Sequence, residues 1–331
     1  MAPSSRKRVS LVVPCYNEDE AFPHLRSALC DLIRDLNFRY EVEALLVDDG
    51  SRDRTWSQIR DFAREFPGVR GLSLSRNFGH QAALTCGYRH ATGDAVISLD
   101  ADLQDPPSVI VEMLETWERG ADVVYAVRRN RAGESRFKKW TAAGFYRVAR
   151  YLGASSLRAD AGDFRLLDRR SLDAVLAMPE RHRFLRGMVG WVGFSTADVY
   201  YDRQARIAGH TKYPLRKMLG LATDAIVSCS SVPLRFPYYF SVSAAGLCVL
   251  YFLYLLISQA SGHTQFPPGW MALMIAVVSF GCLILCSLGV LGEYVGRIYE
   301  QVKSRPLYLV RETIGMPPEA AVRGNGRSMA A

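Results

Sequence analysis

The feature that most narrows the possible folds is a long stretch without charge. From residue 236 to residue 292 the chain contains no Asp, Glu, Lys or Arg. A bilayer's hydrocarbon core of about 30 Å is crossed by about 20 apolar residues of helix. Two such spans fit, at 238–259 and 269–291, split by Ser261-Gly262-His263 and Pro267-Pro268. A helical hairpin buried in a soluble domain would seldom run this far uncharged. Arg216, Lys217 and Arg235 precede the pair, Arg297, Lys303, Arg305 and Arg311 follow it, and the connecting loop carries neither Lys nor Arg. By the positive-inside rule we expect a multi-pass protein of the inner membrane with both ends on the cytoplasmic face. Tyr238, Tyr239, Trp270 and Tyr294 stand where interfacial aromatics belong. Residues 214–235, with Arg216 and Lys217, suit an amphipathic helix on the headgroups or equally a surface helix of the head.

The residues before the anchor alternate between strand and helix patterns. Apolar runs at 9–14, 41–47, 69–74, 95–99 and 123–127 read as strands. Helices are expected at 18–36, at 51–66 with Ser51 or Asp53 as cap, and at 79–90. Another opens at Asp105-Pro106-Pro107, with Asp as N-cap and Pro in the first turn. This alternation implies an α/β head with a mostly parallel sheet and ligands at the carboxyl ends of its strands. No G-x-G-x-x-G follows the first strand, which argues against a dinucleotide-binding enzyme. Residues 1–10 lack the apolar stretch of a signal peptide, and the seven scattered cysteines form no C-x-x-C pair. Both point to a head kept in a reducing, cytoplasmic compartment. The expected organisation is a head at 1–213, a juxtamembrane segment at 214–235, two spans within 236–292 and a cytoplasmic tail at 293–331.

Charge locates the chemistry. Asn17 and Glu18 follow the first strand, Asp48 and Asp49 the second, and Asp100 and Asp102 the fourth. Carboxylates crowded at one sheet edge repel one another unless a cation or a donor-rich ligand joins them. Mg²⁺ or Mn²⁺ suits such an oxygen-rich place, taking one or two carboxylates and completing its shell with water and phosphate. The net charge of +8 needs an anionic counterpart, and with no basic tract or zinc-finger spacing a nucleic acid is a poor candidate. Arg128, Arg129, Arg131 and Arg136 follow the fifth strand, and Arg206 and Lys212 precede the anchor. Such cations can grip a phosphate by charge-assisted contacts or simply face anionic lipid.

Taken in order, several segments resemble one family. Val12-Val13-Pro14-Cys15-Tyr16-Asn17-Glu18, Val47-Asp48-Asp49-Gly50-Ser51 and Asp100-Ala101-Asp102-Leu103-Gln104-Asp105-Pro106-Pro107 are similar to family 2 glycosyltransferases of GT-A fold. Arg76-Asn77-Phe78-Gly79, Gly162-Asp163-Phe164-Arg165, the segment 206–213 and the segment 291–299 resemble its polyprenyl-phosphate branch. That branch includes GtrB-like enzymes and dolichol-phosphate mannose synthase. The resemblance spans about residues 8 to 310, anchor included.

The resemblance implies an inverting enzyme that moves one sugar from a nucleotide sugar, with uridine the expected base, to a polyprenyl phosphate of undecaprenyl type. Such a product serves cell-envelope or lipopolysaccharide glycans. Pro14, Tyr16, Asn17, Glu18, Asp48 and Asp49 would line the nucleotide pocket, with Arg76 either on phosphate or at the surface. Asp100, Asp102 and Gln104 would hold the metal and through it the donor diphosphate. Arg128 and Arg131, then Arg136, Arg206 and Lys212, would bind the acceptor phosphate. Asp163 occupies the place of the usual catalytic carboxylate, beside Asp102 as a catalytic candidate. Its role as base, as positioning group or as a helix or turn cap is open. A phosphate acceptor is largely dianionic at neutral pH, so the demand on a base is small. No Q-x-x-R-W element is present, unlike the processive polysaccharide synthases of this clan. A glycosyltransferase using a non-lipid glycan, or a membrane-anchored nucleotide-sugar binding subunit without turnover, also fits the sequence. A homo-oligomer is plausible for such an anchored enzyme.

Overall fold

The computed structural model describes residues 6–129, 161–202 and 269–316, with scattered positions between 234 and 261. The head is built on β1 (Arg8–Cys15), α1 (Phe22–Leu36), β2 (Glu41–Asp48), α2 (Thr55–Glu65), β3 (Val69–Leu74), α3 (His80–His90), β4 (Ala95–Ser98) and α4 (Val109–Glu118). It continues through β5 (Val123–Arg128), β6 (Ala161–Asp168), α5 (Arg169–Ala177), α6 (Leu185–Trp191) and β7 (Thr196–Tyr201). The long helix α7 (Trp270–Val302) and the strand β8 (Val310–Ile314) follow.

One eight-stranded sheet runs in the order β7-β5-β6-β4-β1-β2-β3-β8. The first four strands are parallel, as βα alternation requires, whereas β6 runs antiparallel to both β4 and β5. The pleat sends successive side chains to opposite faces. Val9, Leu11, Val13 and Cys15 accordingly join the core under α1, α2 and α4, while Val12 joins the core under α3, α5 and α6. Both faces are covered, which is why Leu11–Pro14 of β1 and Ala44–Val47 of β2 read as continuous apolar runs and not as alternating ones.

Within the expected tail, the described residues 293–316 rejoin the head. The helix runs past the expected end of the span to Val302, and the chain then returns to add β8 antiparallel to β3. Trp56 Nε1 donates to Glu312 Oε2 at 3.0 Å, and Tyr308 is buried in the core with Cys86 and Leu185. Gln301 clasps the loop before α6. Its Oε1 accepts the Arg181 N–H at 2.8 Å, and its Nε2 donates to the Pro179 carbonyl at 2.7 Å. Arg181 Nη1 donates to the Arg305 carbonyl at 2.6 Å.

Within α7 the segment Ala276–Val302, whose most apolar 18-residue stretch has mean hydropathy 2.0, is long and apolar enough to cross a membrane. Of the first expected span, the described residues from 239 to 257 are helical. The juxtamembrane segment lies outside the described residues except for Leu234.

Replacing Tyr308 by Ala should empty a core site where the returning chain meets the head. Large-to-small changes of this kind cost about 3–5 kcal/mol. Thermal unfolding of the full chain in detergent is expected to show a clear drop, with the neighbouring half-exposed Leu309→Ala near wild type.

Candidate active site

The carboxyl ends of β1, β2, β4 and β5 open onto one edge of the sheet. Because β6 runs the other way, its amino end arrives at that same edge, with Ser98 opposite Arg165 and Val127 opposite Ala161. This reversal carries Asp163 to the loop that holds Asp100.

On the β1–β2 side the predicted nucleotide residues form laced loops. Asn17 has a left-handed backbone (φ 51°), its N–H donates to Ser51 Oγ at 3.0 Å, and its Oδ1 accepts the Arg52 N–H at 2.9 Å. The Glu18 N–H donates to Thr55 Oγ1 at 2.9 Å. Pro14 is buried within β1, and Tyr16, Asn17 and Glu18 are half-buried at the rim. Asp48 is fully buried, accepting the Ser51 N–H at 3.0 Å and the Ser73 hydroxyl at 2.9 Å. It therefore stands beneath the pocket surface and shapes the loop. Asp49 accepts the N–H groups of Phe78 and Gly79 at 2.8 and 2.9 Å, which ties it to the start of α3. Burial raises its pKa against those two donors. Gly50 (φ +67°) must be glycine, since a Cβ there would fall 2.3 Å from the Arg76 carbonyl carbon. Arg76 is exposed and lies over the Phe78 ring at 4.2 Å.

The β4 side is crowded with charge. Burial, together with Asp163, Asp105 and Asp102, pushes the Asp100 carboxyl up to about 6 against the opposing pull of His80. Asp102 Oδ1 accepts the Gln104 N–H at 3.2 Å across a tight turn in which Leu103 has φ 52°. Among the described residues no three His, Cys, Asp or Glu side chains gather as a closed cation cage. Two carboxylates and an amide oxygen from Gln104 are instead what a hard divalent ion takes when phosphate oxygens complete its shell. The residues present fit such an ion.

Asp163 is almost fully buried and multiply paired. Its Oδ1 accepts Arg165 Nη2 at 2.6 Å and Arg186 Nε at 3.1 Å, and its Oδ2 accepts Arg186 Nη2 at 2.9 Å. His80 Nε2 stands 3.5 Å from Asp163 Oδ2 and 3.8 Å from Asp100 Oδ1. Burial works to raise the Asp163 pKa, but Arg186, His80 and Arg165 outweigh it and hold the carboxyl well below its usual range. Asp163 caps no helix here. It is an ionised hub.

Two expected helix caps are corrected. The N-cap position of α2 is Arg54, not Ser51 or Asp53. Asp105 does not cap α4, whose N-cap position is Ser108. It is buried instead, accepts the Tyr201 hydroxyl and pairs with Arg128 Nη2 at 3.6 Å. Arg128 thus lies at this edge, while Arg131, Arg136, Arg206 and Lys212 lie outside the described residues. His80, Arg186 and Tyr201 carried no signal in the sequence. Arg165 had one, since it is two residues from Asp163 in a strand and so shares its face.

The family model for glycosyl transferase family 2 matches residues 10–176, from β1 into α5. The chain belongs to glycosyl transferase family 2, and its head is a GT-A fold. Over 310 residues it is 43% identical to an uncharacterized glycosyltransferase of Bacillus subtilis, covering 93% of this chain and 94% of that one. It is 39% identical over 306 residues to the SfII prophage-derived bactoprenol glucosyl transferase of Shigella flexneri, covering 92% and 98%. A prophage bactoprenol glucosyl transferase homolog of Escherichia coli is 38% identical over 304 residues, with the same shares covered. These matches extend well past the family model, through the anchor.

Substituting Asp163 by Asn should leave two guanidinium groups facing an uncharged partner, Arg165 being fully buried. Breaking a buried pair from one side costs about 3–5 kcal/mol. The folded pKa lies below the unfolded value of about 3.9, so this contribution is present at neutral pH. Denaturation curves should show the full gap at pH 7. It should narrow only as pH falls below about 3.9 and through the folded value.

Proposed function

We propose that this protein moves one sugar from a nucleotide sugar to a polyprenyl phosphate of the undecaprenyl type, at the cytoplasmic face of the inner membrane. The observation that carries this reading is a juxtaposition. Donor-side carboxylates, Asp100 and Asp102, and a cation suited to phosphate, Arg128, share one edge of a head clasped to a membrane-length helix. The relatives named bactoprenol glucosyl transferases support the lipid acceptor.

Tyr16, Asn17 and Glu18 line the nucleotide pocket, with Pro14, Asp48 and Asp49 holding its loops and Arg76 at its rim. Asp100 and Asp102, with Gln104, would hold Mg²⁺ or Mn²⁺, which supplies charge neutralisation for the departing nucleoside diphosphate. Arg128 orients the acceptor phosphate, joined by Arg131, Arg136, Arg206 and Lys212. That phosphate is largely dianionic at neutral pH and attacks the anomeric carbon in line, giving inversion. No proton need be removed from it. Asp163, held ionised by two guanidinium groups, is assigned to positioning Arg186 and His80, and orientation lowers the barrier by pre-aligning the reactants. The donor is expected to be a uridine diphosphate sugar.

Membranes containing the protein, given undecaprenyl phosphate, metal and a labelled UDP-sugar panel, should yield a chloroform-soluble sugar phospholipid. Chelation should stop its formation, and Asp102→Ala should lower the rate by about 10²–10³. Full activity in Asp102→Ala would remove the metal assignment, and a product that stays aqueous would favour a non-lipid glycan acceptor. A cysteine placed at residue 263 should react with an impermeant maleimide added outside intact cells, and labelling only after lysis would reverse the orientation.

A further inference from the structure

We propose that Tyr201 and Asp105 are positioning residues for Arg128, setting its guanidinium to receive the acceptor phosphate. This rests on the reading of Arg128 as an acceptor ligand given above. The sheet register makes the arrangement. In the parallel ladder of β5 and β7, Arg128 pairs with Tyr201, and the Arg129 N–H donates to the Tyr201 carbonyl at 2.9 Å. Neighbours across a ladder present side chains to the same face, so the guanidinium and the phenol meet at the carboxyl end of both strands.

The proton directions follow from the groups themselves. A guanidinium only donates, so Arg128 Nε–H gives its proton to the Tyr201 oxygen at 3.1 Å. The hydroxyl's single proton then goes to Asp105 Oδ1, which also lies 3.6 Å from Arg128 Nη2. Burial and the Asp105 carboxylate raise the phenol's pKa, so that proton stays in place at neutral pH. Phe164 of β6 braces the Tyr201 ring edge-on at 5.8 Å. The hydroxyl engages one of the five guanidinium donors and the carboxylate adds an ion-pair contact at Nη2, which together set the plane of the group. Arg128 Nη2 lies 3.4 Å from where a Cβ on Gly162 would sit, so the guanidinium borders the amino end of β6, which carries Asp163.

Asp105 belongs to the same short loop as Asp100 and Asp102. One loop thus sets the donor-side carboxylates and, through Tyr201, the acceptor-side cation. Without the hydroxyl, Arg128 regains side-chain freedom and Asp105 loses a donor in a buried place. A role confined to packing would instead weaken the fold without selecting one substrate.

The test uses the full chain in detergent with undecaprenyl phosphate and the active nucleotide sugar titrated separately. Tyr201→Phe is expected to raise the acceptor KM about tenfold, with the donor KM within about twofold of wild type. In an Arg128→Ala background the same substitution should change the acceptor KM by less than about twofold, because its target is gone. An equal effect in that background, or an equal rise in donor KM, overturns the proposal. If Arg128→Ala raises the acceptor KM but Tyr201→Phe does not, the proposal fails and Arg128 keeps its role. If Arg128→Ala leaves the acceptor KM unmoved, the acceptor reading of Arg128 fails and the proposal with it. Should Tyr201→Phe not fold, Asp105→Asn keeps an acceptor beside the hydroxyl, drops the charge and is read by the same criteria.

Discussion

Charge held out of water at one edge of the sheet is the constraint on which the rest of the head depends. Asp163 and Arg165 are both buried, and an unpaired ion in such a place is strongly unfavourable. The chain meets this by convergence. Arg165 comes from the same strand, Arg186 from α6 and His80 from the start of α3, so three separate elements must reach their places for the charges to balance. Among the described residues no guanidinium forms an ion pair with Asp100, and it is left with a raised pKa among three other carboxylates. Among the described residues Asp163 is paired by guanidinium groups and Asp100 is not, which is the difference behind the positioning role proposed for the one and the cation-binding role proposed for the other.

The same edge is reached from the end of the long apolar helix α7. The loop that Gln301 clasps at residues 179–181 leads directly into α6, where Arg186 holds Asp163, and the Leu185 N–H donates to Gln81 Oε1 at 3.2 Å. On the other flank, Arg311 of β8 donates to Ser73 Oγ at 2.9 Å, and Ser73 donates to the buried Asp48. The chain that emerges from α7 therefore touches supports of both halves of the site. The membrane-length helix is thereby fastened to the head at two places.

Much of this was legible before any coordinates. The parallel strands read correctly because a sheet covered on both faces demands runs such as Val9–Val13 and Ala44–Val47, and their carboxyl ends bear the acids that define the site. Asp105 was misread for a good reason, since Asp-Pro-Pro is how many helices begin, and only the neighbouring Tyr201 turns that carboxylate inward. Neither β6 nor the last two strands were read from the sequence; β7 and β8 escaped notice because each is a short edge strand with exposed residues in it, and neither pairs with its sequence neighbour.

By itself the sequence determined the α/β alternation, the carboxylates of the Asp100–Asp102 loop and the long apolar segment. These follow from local periodicity, from turn chemistry and from the absence of charge over a membrane's thickness. Only the tertiary structure decided that β6 reverses direction to deliver Asp163 beside Asp100, and that β5 and β7 lie side by side to join Arg128 with Tyr201. Nor could the sequence place residues 310–314 back in the head's own sheet. Strand order and direction are set by long-range burial and pairing, and no local pattern of residues encodes which distant partner satisfies a buried charge.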